Sequence, residues 1–285
     1  MGGAPLSSDH TGFKSAVDRV EKIPYNRAES IHMPRREGAA AMTETGNLSK
    51  DSLLLQAIAY IHTAFPEKFG IPRQSGLVPD LPGEIVFTPE FRYPEAVRGL
   101  EGFSHIWLLW GFSANPDRSW SPTVRPPRLG GNTRMGVFAS RSPVRPNPIG
   151  LSCVRLEAVL PHAENGPLLQ VSGVDLMDGT PIYDIKPYLP FNESHPEASG
   201  GYATARLDYE LQVSIPPALL AQIPPTLREP LRAVLAQDPR PAYQQDPNRI
   251  YGMEFAGLSL HFTVDGSVLT LTSVEPQTKK ADPAF

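Results

Sequence analysis

HIWLLWGF, residues 105–112, is nearly all apolar and too short to specify a helix. A run of that length and composition predicts one strand buried on both faces. The flanking segments carry the same signal. Upstream, Gly83 to Phe87 (GEIVF) alternates and reads as a strand. Before it, Leu53 to Thr63 (LLLQAIAYIHT) reads as a strand ending near His62, because Pro66, Gly70 and Pro72 close it quickly. Between them and the apolar run, Tyr93 to Leu100 predicts a short helix with Pro94 in its first turn. Downstream, Ser152 to Leu160 alternates, and Leu168 to Leu176 forms another strand in which Gly173 marks a bulge or a close approach. Asp178-Gly179-Thr180-Pro181 is a turn, and Ile182 to Tyr188 follows as a strand.

A second unit begins near Ala205. Leu207 to Ile215 alternates. Pro225 to Ala236 predicts a short helix capped by Thr226, with Leu227, Leu231 and Leu235 on one face. Two alternating runs, Leu258 to Val264 and Ser267 to Ser273, flank Asp265-Gly266 and predict a hairpin. The 32 prolines favour strands joined by loops.

Between the apolar run and the next strand lies the most unusual stretch of the chain. Residues 125–151 read RPPRLGGNTRMGVFASRSPVRPNPIGL. From Arg118 to Leu156 there are arginines at 118, 125, 128, 134, 141, 145 and 155, and no lysine, aspartate or glutamate. The whole chain carries a net charge of −4, so the positive patch is local. Prolines and glycines prevent a long helix here. The plain reading is a solvated basic loop. The planar forks of arginine, on a backbone stiffened by proline, point instead to phosphate or carboxylate binding.

The 285 residues allow one or two domains with ample core. Residues 1–52 lack sustained apolar periodicity and read as a disordered extension. They lack the apolar region of a secretory signal and carry too many acids for a transit peptide. Cys153 is the sole cysteine, which excludes an internal disulfide and a CxxC zinc site and fits a reducing, cytoplasmic setting. No apolar run approaches the length of a membrane span. There is no dinucleotide fingerprint, no phosphate loop and no nucleophile elbow. The seven histidines have no ligand spacing, so no metal is expected.

Two local clusters remain. Pro72-Arg73-Gln74 sits on a loop and is, taken alone, an ordinary turn. Asp178, Asp184, Lys186 and Tyr188 crowd one strand-turn region. Asp184 and Lys186 share a strand face, so a structural ion pair is the plain reading, and ribose binding or proton acceptance is the functional one.

Five segments, PRQSGLVP, AVRGLEGFSHIWLLWGF, TVRPPRLGGNTRMGVFASRSPVRPNPIGLS, DLMDGTPIYDIKPYLPF and QDPRPAY, together resemble the TsaA-like family of tRNA methyltransferases. These act on N6-threonylcarbamoyladenosine at position 37 of a threonine tRNA. The resemblance covers roughly residues 54–275. It implies a mainly β fold: a small β-barrel catalytic domain rather than a Rossmann sheet, over residues 53–204, and a smaller α+β domain over 205–285. It implies S-adenosylmethionine as methyl donor, held by Pro72, Arg73, Gln74, Phe112, Ser113, Arg141, Leu151, Asp178, Gly179, Thr180 and Pro181. Ser113 stands where relatives carry histidine. It also implies a homodimer with donor sites near the subunit interface.

On this reading Arg125, Arg128, Arg134 and Arg145 contact the tRNA anticodon loop, whose phosphates and splayed bases suit protein shape and charge. Methyl transfer to N6 is driven by positioning, because the carbamoyl group already acidifies the N6 proton. Asp184 or Tyr188 assists, and Lys186 orients. Competing readings are methylation of another RNA base or a small molecule on the same barrel, and a non-catalytic RNA-binding module.

Overall fold

The computed structural model describes residues 53–113, 119–126, 133–161, 163, 166–206, 209–240, 244 and 246–277. The extension 1–52, Arg128 and the expected strand start at Leu207 lie outside them. In chain order the strands are β1 (Ala59–Thr63), β2 (Pro82–Phe87), β3 (His105–Gly111), β4 (Thr123–Val124), β5 (Met135–Gly136) and β6 (Ile149–Leu160). They continue as β7 (Leu168–Ser172), β8 (Thr180–Pro187), β9 (Gln212–Ser214), β10 (Tyr251–Phe255), β11 (Leu258–Asp265) and β12 (Val268–Pro276). The helices are short: α1 (Pro190–Glu193), α2 (Pro217–Leu220) and α3 (Arg228–Ala236).

Six strands close into an antiparallel barrel in the order β1-β2-β7-β6-β3-β8. Closure removes the exposed sheet edges that an open sheet of this size would present. Strand β6 makes it possible. Its first half pairs with β3 and its second half with β7, and a bulge between Leu156 and Ala158 lets one strand turn the corner. Ile61, Ile85, Ile106, Leu108, Val154, Leu169, Val171 and Ile182 fill the interior.

The apolar run forms β3, but only one of its faces is fully buried. Ile106 and Leu108 point inward, whereas Trp107 and Leu109 are half-covered on the outer face. The expected helix over Tyr93 to Leu100 is instead two 3-10 turns, Pro94–Val97 and Leu100–Gly102. Gly173 is a close approach, not a bulge. It lies at φ +77° just beyond β7, and its carbonyl accepts from the Gly76 N–H at 2.9 Å.

The registers place three connections at one end of the barrel. The C-terminal ends of β1, β3 and β7 and the N-terminal ends of β2, β6 and β8 meet there. The segments 64–81, 112–148 and 173–179 therefore leave the barrel side by side.

The second sheet has the order β10-β11-β12-β9, and β9 joins β12 in parallel. The predicted hairpin is β11–β12, paired through Asp265↔Val268. Of the described part of the expected 207–215 strand, only Gln212–Ser214 pairs with β12. Helix α3 begins after a 3-10 turn, with Leu227 rather than Thr226 at the cap position and no side-chain cap. Leu227, Leu231 and Leu235 are buried against the sheet as expected. Segment 64–71 packs onto this sheet. Phe65 meets Phe255 edge to face at 5.5 Å, Phe69 stacks on Phe262 at 6.5 Å, and the Ala256 N–H donates to the Ala64 carbonyl at 2.7 Å. Among the described residues no helix is long and apolar enough to cross a membrane.

Candidate active site

A cavity of about 300 Å³ opens at the barrel end where the three connections meet. Segment 64–81 contributes Arg73 and Gln74. The end of β3 contributes Trp110 and Phe112. The arginine loop contributes Arg141 and Arg145, and β6 contributes Ile149, Gly150 and Leu151. The turn after β7 contributes Asp175. Trp110 and Phe112 lie with ring centroids 4.4 Å apart. Trp110 lies over the backbone of Gly150, where any Cβ would stand 2.2 Å from its ring. Glycine is required at that position for the indole to form the wall.

The polar groups are organised. An Nη1 of Arg141 donates to Gln74 Oε1, so the arginine loop is fastened to the loop after β1. Arg145 turns back on its own loop, donating to the carbonyls of Ser140 at 3.2 Å and Val137 at 3.4 Å. The Trp110 indole N–H donates to Ser152 Oγ at 3.0 Å, and Ser152 donates to Asp175 Oδ1 at 2.6 Å. Asp175 also accepts from the backbone of Ser75, beside Arg73 and Gln74. Burial pushes the Asp175 carboxyl up to about 6, against the hydrogen bonds from Ser152 and Ser75 and the charge of Arg141.

That displacement has a consequence for stability. From about pH 4 to about pH 6 the folded protein keeps a proton that the unfolded chain has lost, so stability falls as pH rises through this window. A displacement of this size is worth about 3 kcal/mol near neutral pH. Asp175→Asn keeps an acceptor for Ser152 and Ser75 and removes the charge. It should unfold at a higher urea midpoint than the unsubstituted protein at pH 7.5, and the gap should close at pH 4. A variant less stable at both pH values would contradict this origin of the cost.

Of the expected donor residues, Arg73, Gln74, Phe112, Arg141 and Leu151 converge on the cavity. Ser113 follows Phe112 at its rim and is exposed. Pro72 lines a smaller neighbouring depression with Asp238 and Pro239 of the C-terminal unit. The turn Asp178, Gly179, Thr180 and Pro181 leaves the same barrel end but is tied to β1. Asp178 Oδ1 accepts from the Thr63 N–H at 3.0 Å and lies 3.2 Å from His62 Nδ1. That hydrogen bond holds the His62 imidazole above its ordinary value. Thr180 is buried, and its hydroxyl donates to the Met177 carbonyl.

Asp184, Lys186 and Tyr188 do not line the cavity. Lys186 Nζ lies 2.8 Å from Asp184 Oδ2, and both are about half-exposed on the outer barrel face. Asp184 and Leu151 flank Leu109 from opposite sides, so the pair sits roughly 10 Å from the cavity wall. Tyr188 lies past the far end of β8, against His105 and Trp107. Of the arginines assigned to RNA, Arg125 and Arg134 are exposed, whereas Arg145 is part of the cavity wall. The sequence reading missed Asp175, Ser152 and Trp110. Their only signal was that a carboxylate, a hydroxyl and an indole sat in segments otherwise rich in aliphatic residues.

The family models for the tRNA-methyltransferase O N-terminal domain and the TrmO C-terminal domain match residues 60–194 and 208–277. A crystal structure of TrmO from Pseudomonas aeruginosa superposes with a TM-score of 0.65 at 35% identity, covering 80% of this chain and 99% of that one. The chain belongs to the tRNA-methyltransferase O family. The tRNA (adenine(37)-N6)-methyltransferase of Escherichia coli K12 is 50% identical over 163 residues, which are 57% of this chain and 69% of that protein. A putative S-adenosylmethionine-dependent methyltransferase, RcsF, of Pseudomonas aeruginosa is 45% identical over 53% of this chain and 61% of its own. The human tRNA (adenine(37)-N6)-methyltransferase is 40% identical over 51% of this chain and 31% of its own. The family's two matched regions coincide with the barrel and the second sheet, so the cavity lies wholly within the N-terminal model's span.

Proposed function

We propose that this chain transfers a methyl group from S-adenosylmethionine to N6 of threonylcarbamoyladenosine at position 37 of a threonine tRNA. Family membership makes it an S-adenosylmethionine-dependent methyltransferase acting on adenine 37 of tRNA. The threonylcarbamoyl group and the threonine tRNA are the finer part of the reading. The cavity at the barrel end supports the donor part of the reading, because its residues suit several of the donor's groups. Arg73 and Arg141 suit the carboxylate, Trp110 and Phe112 suit a purine face, and Leu151 suits the apolar edge. When bound, the donor supplies an electrophilic methyl on a sulfonium.

The protein's part is to position and to exclude water. Trp110, Phe112 and Leu151 close the cavity walls, and the Arg141–Gln74 hydrogen bond fixes two loops around them. Arg125 and Arg134, exposed on the same loop, offer charge to the anticodon-loop phosphates, with Arg128 between them in sequence. The exposed Phe138, with Ile149 and Leu151 at the cavity, suits a second copy of the chain, which fits a homodimer. Residues 53–204 then form the catalytic unit and 205–285 the smaller supporting one, in a cytoplasmic enzyme.

Asp184 is assigned to assist at N6 and Lys186 to orient it, which requires the substrate base to reach the outer barrel face roughly 10 Å from the cavity wall, whereas Tyr188 lies toward the opposite barrel end. Their ion pair is exposed enough to contribute under about 1 kcal/mol to stability. Asp184→Asn and Lys186→Ala should each lower kcat by at least about tenfold while leaving the melting temperature nearly unchanged. Wild-type rates in both would remove the pair from the site. The reading as a whole is tested by incorporation of labelled methyl into threonine tRNA with and without its threonylcarbamoyl group.

A further inference from the structure

Resting on that reading, we infer that Asp175 is the counter-charge for the donor's α-ammonium group. A cavity for a zwitterionic amino-acid end needs both signs. Arg73, Arg141 and Arg145 supply the positive side, and among the described lining residues Asp175 is the one carboxylate. It is held for that purpose. Ser152 and the Ser75 backbone donate to it, and Trp110 fixes the Ser152 hydroxyl. Ser152 uses its proton on Oδ1, and a carboxylate has about four acceptor positions, so beside Ser152, the Ser75 backbone and its own backbone it can still accept from a cationic N–H.

The location favours the donor over the nucleobase. Asp175 is mostly buried and lines the cavity, whereas Arg125 and Arg134, the arginines proposed to meet tRNA, are exposed and do not line it. Burial of this carboxylate costs stability that the charge of Arg141 and the hydrogen bonds from Ser152 and Ser75 offset only in part, and a ligand ammonium would offset more. Because Ser75 adjoins Arg73 and Gln74, the same carboxylate holds the loop that bears the opposite charge. Both ends of the zwitterion are therefore set by one connected unit, in which Asp175 is hydrogen-bonded to Ser75, Ser75 follows Gln74 in the chain, and Gln74 is hydrogen-bonded to Arg141.

The test is calorimetric binding of four ligands to the full chain and to Asp175→Asn. S-adenosylmethionine and S-adenosylhomocysteine both carry the ammonium, and only the first has the sulfonium. The analogue of S-adenosylhomocysteine with hydrogen in place of the ammonium lacks that group alone. 5′-Methylthioadenosine lacks the whole amino-acid end. The variant should lose about ten- to hundredfold in affinity for the first two, by the same factor. Its affinity for the deaminated analogue and for 5′-methylthioadenosine should be unchanged. Loss for S-adenosylmethionine alone would make Asp175 the counter-charge of the sulfonium and overturn the inference. Equal loss for all four would make it only an anchor of the loop, and no loss would leave it no role in binding. Failure of the unsubstituted protein to bind S-adenosylmethionine would overturn the donor site itself, and this inference with it.

Discussion

Arg141→Ala should weaken donor binding and methyl transfer together, each by about a hundredfold. Two losses combine. The guanidinium is removed from a cavity where it offers charge and a planar fork to a carboxylate, and the hydrogen bond to Gln74 that joins two of the three loops is removed with it. Asp175 would also lose the nearby positive charge that favours its ionised form, so its carboxyl should rise further above about 6. Arg141→Lys keeps the charge but not the fork, and should recover only part of the binding. Calorimetry with S-adenosylmethionine and initial rates on tRNA measure both effects. Affinity and rate close to those of the unsubstituted protein would show that the cavity is not the donor site.

The second large effect is remote from the cavity. Phe255→Ala should destabilise the fold by about 3–5 kcal/mol, read as a lower urea midpoint. Phe255 is fully buried and meets Phe65 edge to face, where the second sheet grips the connection after β1. The adjacent Ala256 N–H donates to the Ala64 carbonyl across the same contact. That connection goes on to Arg73 and Gln74, so the vacancy left by the ring should also loosen the cavity and lower donor affinity in the folded fraction. The second sheet thus serves the site without touching it. A variant with full stability, or one destabilised but with unaltered donor affinity, would contradict the coupling.

Much of this architecture was legible in the chain because local patterns agreed with the global fold. The alternation in GEIVF and around Asp265-Gly266 matched the observed strands, since each has one face on a core and one toward solvent. HIWLLWGF misled in one respect. Its outer positions, Trp107 and Leu109, are as apolar as its inner ones, so alternation was hidden although burial alternates. Closure of the barrel depends on β6 bending at Leu156, which no local signal marks; it came from the resemblance. Likewise β10 was missed, because YGMEF is short and its interior glycine and glutamate dilute the pattern.

The site was legible in part, for a similar reason. The pair Arg73-Gln74 is far in sequence from Arg141 and Leu151, and only the registers at one barrel end bring them together. Charge alone assigned Arg145 to RNA, but its side chain folds back onto the carbonyls of Val137 and Ser140. Asp175 looked like the polar member of a strand. Gly173 ends that strand at φ +77°, and the chain then carries Asp175 under Ser152 and Ser75, a meeting of three segments that spacing does not encode.

The most direct test is to react the purified protein with S-adenosylmethionine and threonine tRNA bearing threonylcarbamoyladenosine, digest the product, and locate the added methyl by mass spectrometry. The methyl should be found on N6 of the threonylcarbamoyladenosine at position 37, with none added to the same tRNA lacking that modification. A methyl on any other nucleoside, or equal incorporation into the unmodified tRNA, would contradict it.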